Sequence, residues 1–166
     1  MTEIITRDAE ATVALGEALA AVVAPNDVVL LSGELGAGKT VLAKGIARGL
    51  GVSEEVTSPT FNILLVHEGR IALNHIDLYR LERVGELEDI DYRGTLESGG
   101  VSVVEWGDRF AEAVPENHLT VRIGILDDEV RFFELLPGGD RGRQLAGDWL
   151  ERSRSLEGVE IGEDAS

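Results

Sequence analysis

The first 50 residues show a pattern of apolar and polar positions that predicts helices and a strand in turn. The stretch DAEATVALGEALAAVVA (8–24) has apolar side chains three and four positions apart, which predicts an amphipathic helix with Asp8 as its N-cap. The next stretch, DVVLLSG (27–33), is almost continuously apolar, as is typical of a strand covered by helices on both faces. TVLAKGIARGL (40–50) predicts a second helix. This order of helix, strand and helix indicates an α/β protein.

Two antiparallel hairpins are predicted further along. FNILLVHEGRIALNHIDLYR (61–80) predicts two strands around the turn HEGR, and LTVRIGIL (119–126) and EVRFFELL (129–136) predict two more around the turn DDE. Between the hairpins, LERVGELEDI (81–90) spaces its apolar residues three apart and predicts a short helix, and VSVVEW (101–106) predicts a buried strand. The sheet is therefore expected to be mixed.

The end of the chain predicts a helix and then a tail. RGRQLAGDWLERSRSLEG (141–158) has a helical pattern, and the sequence after it, VEIGEDAS, is acidic. We therefore predict a single domain over residues 1–152 and a flexible acidic tail over residues 153–166.

Composition argues against a membrane span and a disulfide framework. The chain has 166 residues, enough for one hydrophobic core, and it contains no cysteine. Its apolar runs are far shorter than the ~20 residues that a membrane-spanning helix needs, and no basic and apolar signal pattern stands at the N-terminus. We expect a cytoplasmic protein.

The charge of the chain is strongly negative. It has 31 acidic and 15 basic residues and a formal net charge of −16. Such a field repels polyanions, so direct binding of nucleic acid by this chain alone is not expected. Only two of the basic residues are lysines, Lys39 and Lys44, so a lysine inside a glycine-rich loop is an informative position.

Residues 33–40, GELGAGKT, match the phosphate-binding pattern G-x-x-x-x-G-K-[ST] at every fixed position. The glycines let the backbone turn its N–H groups inward, and the helix that follows directs more of them to the same point, which makes a site for an anion. Lys39 supplies positive charge to the outer phosphates, and the Thr40 hydroxyl is a magnesium ligand. The alternative is a plain glycine turn between a strand and a helix.

Two acidic residues end strand-like segments. Asp77 ends NHID and Glu105 ends VSVVE. Because ligand-binding groups gather at the carboxyl ends of parallel strands, both carboxylates are expected beside the glycine loop. Nucleotide hydrolysis needs an acid near magnesium and a group that positions water, and these two residues are the candidates. The alternative is that both are solvated surface acids.

Four further positions carry weaker hypotheses. Trp106 packs either near the nucleotide or in the core, and His75 is expected to be a packed strand residue. Arg141 and Arg143 form either a lid over the phosphates or a solvated helix start, of which the second is favoured.

Four ordered blocks resemble the TsaE family, the P-loop ATPases of the bacterial machinery that makes N6-threonylcarbamoyladenosine on tRNA. They are GELGAGKT (33–40), TSPTF (57–61), HIDLYRL (75–81) and VEWGDRF (104–110). The resemblance implies a P-loop NTPase-like three-layer α/β domain whose mixed sheet contains antiparallel hairpins. It also implies ATP and Mg²⁺ as ligands and the TsaB and TsaD proteins as partners.

The resemblance further implies roles for individual residues. Thr40 and Glu105 match the magnesium ligands of the family, and Asp77 matches a residue implicated in hydrolysis. Thr60 lies in a loop similar to a GTPase switch, where its hydroxyl is expected to sense the γ-phosphate. The implied catalytic residues are Lys39, Thr60 and Asp77. The implied nucleotide-binding residues are Gly36, Ala37, Gly38, Lys39, Thr40 and Val41, the last in place of the usual threonine.

Several functions are compatible with these features. The first is an ATPase, slow alone, that drives or resets the TsaB–TsaD complex. The second is a small-molecule P-loop kinase that uses Asp77 and Arg80, although the sequence shows no dedicated substrate-binding domain. The third is a nucleotide-dependent assembly subunit that does not hydrolyse. A GTPase switch is disfavoured because the sequence lacks the guanine-reading motif N-K-x-D, so ATP is the expected nucleotide.

Overall fold

The computed structural model describes residues 2–34, 37–53 and 63–163, and the strands in these ranges form one sheet. The strands are β1 (Thr2–Thr6), β2 (Val28–Gly33), β3 (Leu64–His67), β4 (Leu73–Asp77), β5 (Val101–Glu105), β6 (His118–Ile125), β7 (Arg131–Gly138) and β8 (Val159–Glu163). Their order across the sheet is β3-β4-β5-β2-β6-β7-β1-β8. The four strands β4, β5, β2 and β6 are parallel, and all other neighbours are antiparallel. The predicted mixed sheet with antiparallel hairpins is confirmed.

Helices cover both faces of this sheet. They are α1 (Ala9–Ala20), α2 (Lys39–Gly49), α3 (Glu86–Asp89), α4 (Tyr92–Leu96) and α5 (Gly139–Ser153), with 3-10 turns at Gly107–Arg109 and Ala111–Ala113. Residues of α1, α2 and α5 share one buried hydrophobic cluster, and residues of α3 and α4 share another. The architecture therefore has three layers. In the ranges that the structure describes, no helix is long and apolar enough to cross a membrane.

Strand β2 is buried on both faces, which explains its continuously apolar sequence. Val29 and Leu31 point into the cluster with α1 and α2, and the alternate residues Val28 and Leu30 point into the cluster with α3 and α4. Strand β2 lies between β5 and β6 in the centre of the sheet, so the side chains of residues 28–31 are enclosed on both faces, where apolar residues are favoured. This burial fixes the position of β2, and the glycine loop begins where β2 ends, at Gly33.

Helices α1 and α2 pack closely against each other. Helix α1 begins as predicted, because the Asp8 carboxylate accepts a hydrogen bond of 2.8 Å from the N–H of Ala11. Gly45 in α2 lies against the backbone of α1, and a Cβ atom there would lie 2.3 Å from the carbonyl oxygen of Val13. This contact fixes α2, and with it the loop before α2, over the sheet.

Strand β1 and helix α4 are among the elements that the sequence did not predict. Strand β1 lies between β7 and β8 and pairs with both in antiparallel register. Helix α4 follows the predicted short helix, and its Tyr92 hydroxyl donates a hydrogen bond of 2.8 Å to the carbonyl oxygen of Ala113. Neither element is long, so neither shows a full helical or strand period in the sequence.

The prediction of a flexible tail over residues 153–166 is wrong for Val159–Glu163. These residues form the edge strand β8, in which Ile161 lies opposite Ile4 of β1. Val159 and Ile161 are partly buried and pack against the main hydrophobic cluster. The apolar alternation of these two side chains and the open edge of β1 together explain why an acidic segment is ordered here.

Candidate functional site

The glycine loop follows the C-terminal end of β2 and leads into α2. Gly33 ends the strand, where a Cβ atom would lie 2.5 Å from the carbonyl oxygen of Ile123 on β6. Gly38 is the N-cap of α2 and has a φ of 113°, a conformation that L side chains rarely adopt. Both fixed glycines of the phosphate-binding pattern are therefore required by the backbone itself. Leu35 and Gly36 lie outside the described residues, so the predicted role of Gly36 stays a prediction.

Helix α2 directs the backbone N–H groups of its first turn toward the end of the loop. Its first carbonyl acceptor is that of Gly38, which accepts from the N–H of Leu42 at 2.9 Å. The N–H groups of Lys39, Thr40 and Val41 precede that bond and have no carbonyl acceptor within the helix. Together with the positive end of the helix dipole, they form the kind of site that binds phosphate.

Lys39 is buried at the mouth of the loop. The residue is 6% exposed, and its Nζ donates a hydrogen bond of 2.6 Å to the carbonyl oxygen of Gly33. Nζ also lies 4.0 Å from the centroid of the Trp106 ring, in a cation–π contact. Burial lowers the pKa of Lys39, and the attraction of Glu105, Asp77 and Asp108 acts in the opposite direction. The ammonium group is thus a partly desolvated charge facing acids.

Asp77 and Glu105 end the parallel strands β4 and β5 and are paired in register. They lie on the same sheet face as Val103, which packs in the cluster with α2. The structure thus places both predicted acids at the carboxyl edge of the sheet, as expected from the strand pattern. The two carboxylates come together because Asp77 and Glu105 are register partners and both side chains point to the same face of the sheet.

The two carboxylates have different surroundings. Glu105 is 3% exposed, and its Oε2 lies 2.7 Å from Nε2 of the fully buried His75. Asp77 is less buried and accepts a hydrogen bond of 2.9 Å from the N–H of Tyr79. Burial is the main cause that raises the pKa of Asp77; Glu105 raises it further, whereas the Tyr79 N–H opposes the shift. Asp77 is therefore a more basic carboxylate than an ordinary aspartate.

Trp106 packs at the site. It takes up a left-handed backbone conformation, with a φ of 62°, directly after β5. Its ring contacts Lys39 and lies 5.1 Å from the ring of Tyr79, measured between centroids. Trp106 is also partly buried against the hydrophobic cluster with α3 and α4, so its position agrees with both interpretations offered by the sequence.

Three other residues at the site, Ser32, His75 and Asp108, were not identified as site residues from the sequence. Ser32 donates a hydrogen bond of 3.3 Å from its hydroxyl to Oδ2 of Asp108, and Asp108 adds negative charge near Lys39. His75 was expected only to pack in its strand. The signal for His75 was present, because it stands two residues before Asp77 and a strand places such residues on one face. No sequence period marks Asp108, which lies in a 3-10 turn.

Arg141 does not close over the glycine loop. Its guanidinium forms two hydrogen bonds to the Asp27 carboxylate, at 2.8 and 2.6 Å, before the start of β2 and therefore at the opposite edge of the sheet from the loop. Arg143 is exposed and pairs with Asp140. The lid hypothesis is therefore wrong, and Arg141 instead joins the start of α5 to the start of β2.

A cavity of about 270 Å³ adjoins the first turn of α2. It is lined by Ala9, Thr12, Gly38, Val41, Asp128, Glu129 and Arg131. The Arg131 guanidinium donates to the carbonyl oxygens of Asp127 and Asp128 at 2.9 and 3.0 Å, and so holds the turn between β6 and β7 beside the cavity. The space lies next to Gly38, which connects it directly with the glycine loop.

The donor set suits magnesium better than a metal held by protein ligands alone. The described ranges contain no group of three or more His, Cys, Asp or Glu side chains arranged to hold a metal ion. Thr40 and Glu105 supply oxygen atoms only, and Mg²⁺ typically takes one or two protein oxygens and completes its shell with water and phosphate. The predicted catalytic residue Thr60 lies outside the described residues.

The class of protein follows from this arrangement. A parallel strand, a glycine loop and a helix, with acids at the ends of neighbouring strands, define a P-loop NTPase-like fold. The crystal structure of YdiB from Bacillus subtilis is similar, with a TM-score of 0.79 and 30% identity, and covers 93% of this chain and 97% of its own.

Sequence comparisons give the family. The family model of "Threonylcarbamoyl adenosine biosynthesis protein TsaE" matches residues 6–132. Relatives named tRNA threonylcarbamoyladenosine biosynthesis protein TsaE include that of Treponema pallidum, 41% identical over 75% of this chain and 92% of the relative. The relative of the same name from Streptomyces coelicolor is 45% identical over 76% of this chain and 90% of the relative. The chain belongs to the TsaE family.

Proposed function

We propose that the chain is the ATPase of the cytoplasmic machinery that makes threonylcarbamoyladenosine on tRNA, and that ATP hydrolysis drives or resets a complex of TsaB and TsaD. The names of its relatives support the pathway. The observation that carries the ATPase assignment is the position of Lys39 between the first turn of α2 and the acids Asp77 and Glu105.

The phosphates of ATP would be bound by the backbone N–H groups of residues 36–41 and by Lys39. Among the described residues, the Lys39 ammonium contacts the Gly33 carbonyl and the Trp106 ring, and a phosphate oxygen is a stronger partner than either because it is charged. Binding therefore moves Nζ from the Gly33 carbonyl to the phosphates. The cavity beside Gly38 and Val41 is the space that we assign to the nucleoside.

Thr40 and Glu105 would hold Mg²⁺, since they supply the oxygen ligands that it prefers. When bound, the ion neutralises negative charge on the phosphates. Asp77 would orient the attacking water and accept its proton, because burial has raised the pKa of this carboxylate and made it a better base. Thr60 is proposed to sense the γ-phosphate.

The partners would complete the activity. We expect slow hydrolysis by the chain alone and faster hydrolysis with TsaB and TsaD. The net charge of −16 opposes binding of tRNA by this chain, so tRNA would be held elsewhere in the machinery. ATP is preferred to GTP because the guanine-reading motif is missing from the sequence.

ATP turnover in the reconstituted system tests this proposal. Wild-type protein, Lys39→Ala and Asp77→Ala are each assayed with TsaB, TsaD and Mg·ATP, with Lys44→Ala as the control on the same helix. We expect both site variants to lose turnover and the control to retain it. Turnover that persists in both site variants contradicts the catalytic assignment. Association with TsaB and TsaD that does not differ between ATP and ADP contradicts the partner assignment.

A further inference from the structure

His75 and Glu105 form a fully enclosed pair between two parallel strands. His75 of β4 is 0% exposed, Glu105 of β5 is 3% exposed, and Nε2 lies 2.7 Å from Oε2. His75 stands opposite Val103 in the register and shares its sheet face with Leu73. The His75 imidazole therefore has two aliphatic neighbours, Leu73 and Val103, on this face of the sheet.

We propose that His75 is a positioning residue that fixes the Glu105 carboxylate for magnesium. This inference rests on the proposed function, in which Glu105 is a magnesium ligand. A carboxylate must be ionised to bind the ion, so Oε2 accepts and the proton lies on Nε2 of His75. With Oε2 engaged, Oε1 is the oxygen left for the metal.

The surroundings of the imidazole support a dedicated role. Within the described part of the chain, Nδ1 of His75 is buried and has no hydrogen-bond partner. Glu105 is thus the one hydrogen-bond partner of the ring there. A buried polar side chain with an unsatisfied nitrogen costs free energy relative to an aliphatic one, and the hydrogen bond to Glu105 is the compensation that the structure shows.

The physical effect is preorganisation of the carboxylate. A glutamate side chain has several rotatable bonds, and ordering it on metal binding costs conformational entropy. A hydrogen bond of 2.7 Å between Nε2 of His75 and Oε2 orders this side chain in advance. Residues that hold a metal ligand in this way typically contribute about 10- to 100-fold to metal affinity.

The test measures how much Mg²⁺ tightens nucleotide binding. The affinity of a fluorescent ATP analogue is determined with Mg²⁺ and in excess chelator, and the ratio of the two affinities is compared between wild type, His75→Leu and His75→Gln. We expect His75→Leu to reduce the ratio by about 10- to 100-fold with little change in the magnesium-free affinity. His75→Gln is expected to retain most of the wild-type ratio, because the glutamine amide also donates a hydrogen bond.

A purely structural role predicts a different result. His75→Leu would then change the melting temperature and the magnesium-free affinity, and the ratio would stay at the wild-type value, which overturns the inference. Should the leucine variant not fold, His75→Asn replaces it, because its shorter amide does not reach Oε2 but keeps a polar group. A ratio in His75→Asn equal to that of His75→Gln also overturns the inference.

Glu105→Gln separates this inference from the proposed function. If Glu105→Gln loses the magnesium effect and His75→Leu keeps it, Glu105 is a ligand and only the role of His75 is refuted. If Glu105→Gln itself keeps the full ratio, the magnesium assignment fails and the role of His75 fails with it.

Discussion

Asp77 and Glu105 are register partners at the ends of adjacent parallel strands, so two carboxylates are fixed side by side at the edge of the sheet. Negative charge on Glu105 opposes ionisation of Asp77 and so helps to raise the pKa of Asp77. Lys39 carries the balancing positive charge, and its attraction to both acids opposes the lowering of its pKa by burial. The site is therefore electrostatically coupled before any ligand binds.

The first prediction concerns the stability cost of Asp77. Because its pKa is higher in the folded than in the unfolded protein, Asp77 destabilises the fold at pH values above its folded pKa, and this cost disappears below the ordinary aspartate pKa of about 3.8. We expect Asp77→Asn to raise the melting temperature at pH 7 and to have little effect near pH 3. Thermal unfolding followed by circular dichroism at both pH values measures this.

Asp128→Asn, which changes an exposed acid in the turn between β6 and β7, is the control for Asp77→Asn. Like Asp77→Asn, it removes one negative charge from the wild-type protein, so it reports the general effect of a lower negative charge on the melting temperature. An equal rise in melting temperature in both variants would show that the cost is not specific to Asp77.

The second prediction compares the two lysines of the chain, which lie on the same helix. Lys39 is buried against the glycine loop, whereas Lys44 is exposed. Lys39→Ala is expected to weaken Mg·ATP binding by about 10- to 100-fold, the effect of losing hydrogen bonds between charged groups, and Lys44→Ala by little. Equilibrium binding of a fluorescent ATP analogue measures both. Similar losses in the two variants would assign the effect to helix charge in general.

The third prediction uses the two tryptophans. Trp106 contacts the Lys39 ammonium, whereas Trp149 is fully buried and donates from Nε1 to the carbonyl oxygen of Leu15 at 2.9 Å. If Lys39 moves to the phosphates, the surroundings of Trp106 change and those of Trp149 do not. We expect Mg·ATP to change the fluorescence of Trp149→Phe and leave that of Trp106→Phe unaltered. The reverse pattern would place the nucleotide away from Lys39.

The fourth prediction concerns the contact between α1 and α2. A Cβ atom at Gly45 would lie 2.3 Å from the carbonyl oxygen of Val13, so Gly45→Ala must push the helices apart. We expect a loss of about 1–3 kcal/mol, the usual cost of overpacking, seen as a lower urea midpoint.

Gly147→Ala is the matched control for Gly45→Ala. Gly147 lies in α5 and is exposed, and a Cβ atom added there would have no neighbouring atom within 4 Å. The alanine should stabilise the protein by about 0.5–1 kcal/mol, because glycine is a poor helix former. Destabilisation of equal size in both variants would refute close packing as the cause.

The parts of the fold that have a strong local period were predictable from the sequence. The segments around β2 and α2 were recognisable because a continuous apolar run precedes a glycine loop and a helical stripe. Strands β1 and β8 were not, since each has five residues and is stabilised by pairing with a segment far away in the chain. The acidic character of β8 concealed the partly buried Val159 and Ile161.

In the candidate site, too, features with a local sequence pattern were predictable, and features that depend on pairing between distant segments were not. Asp77 and Glu105 were identified because each ends a strand-like segment, and position at a strand end is visible in the sequence. The hydrogen bond between His75 and Glu105 depends on the register of β4 against β5, which no local pattern determines. Likewise, the contact of Trp106 with Lys39 forms where the chain takes a left-handed conformation after β5.

Calorimetric titration of the folded protein with Mg·ATP, and separately with Mg·AMP, tests the central claim most directly. In the proposed function, the backbone N–H groups of residues 36–41 and the Lys39 ammonium bind the phosphates of ATP, and AMP lacks two of these phosphates. We predict one ATP bound per chain and binding of AMP that is at least about 10-fold weaker, from the loss of charge-assisted contacts. No heat with ATP, or equal affinities for ATP and AMP, would contradict this assignment.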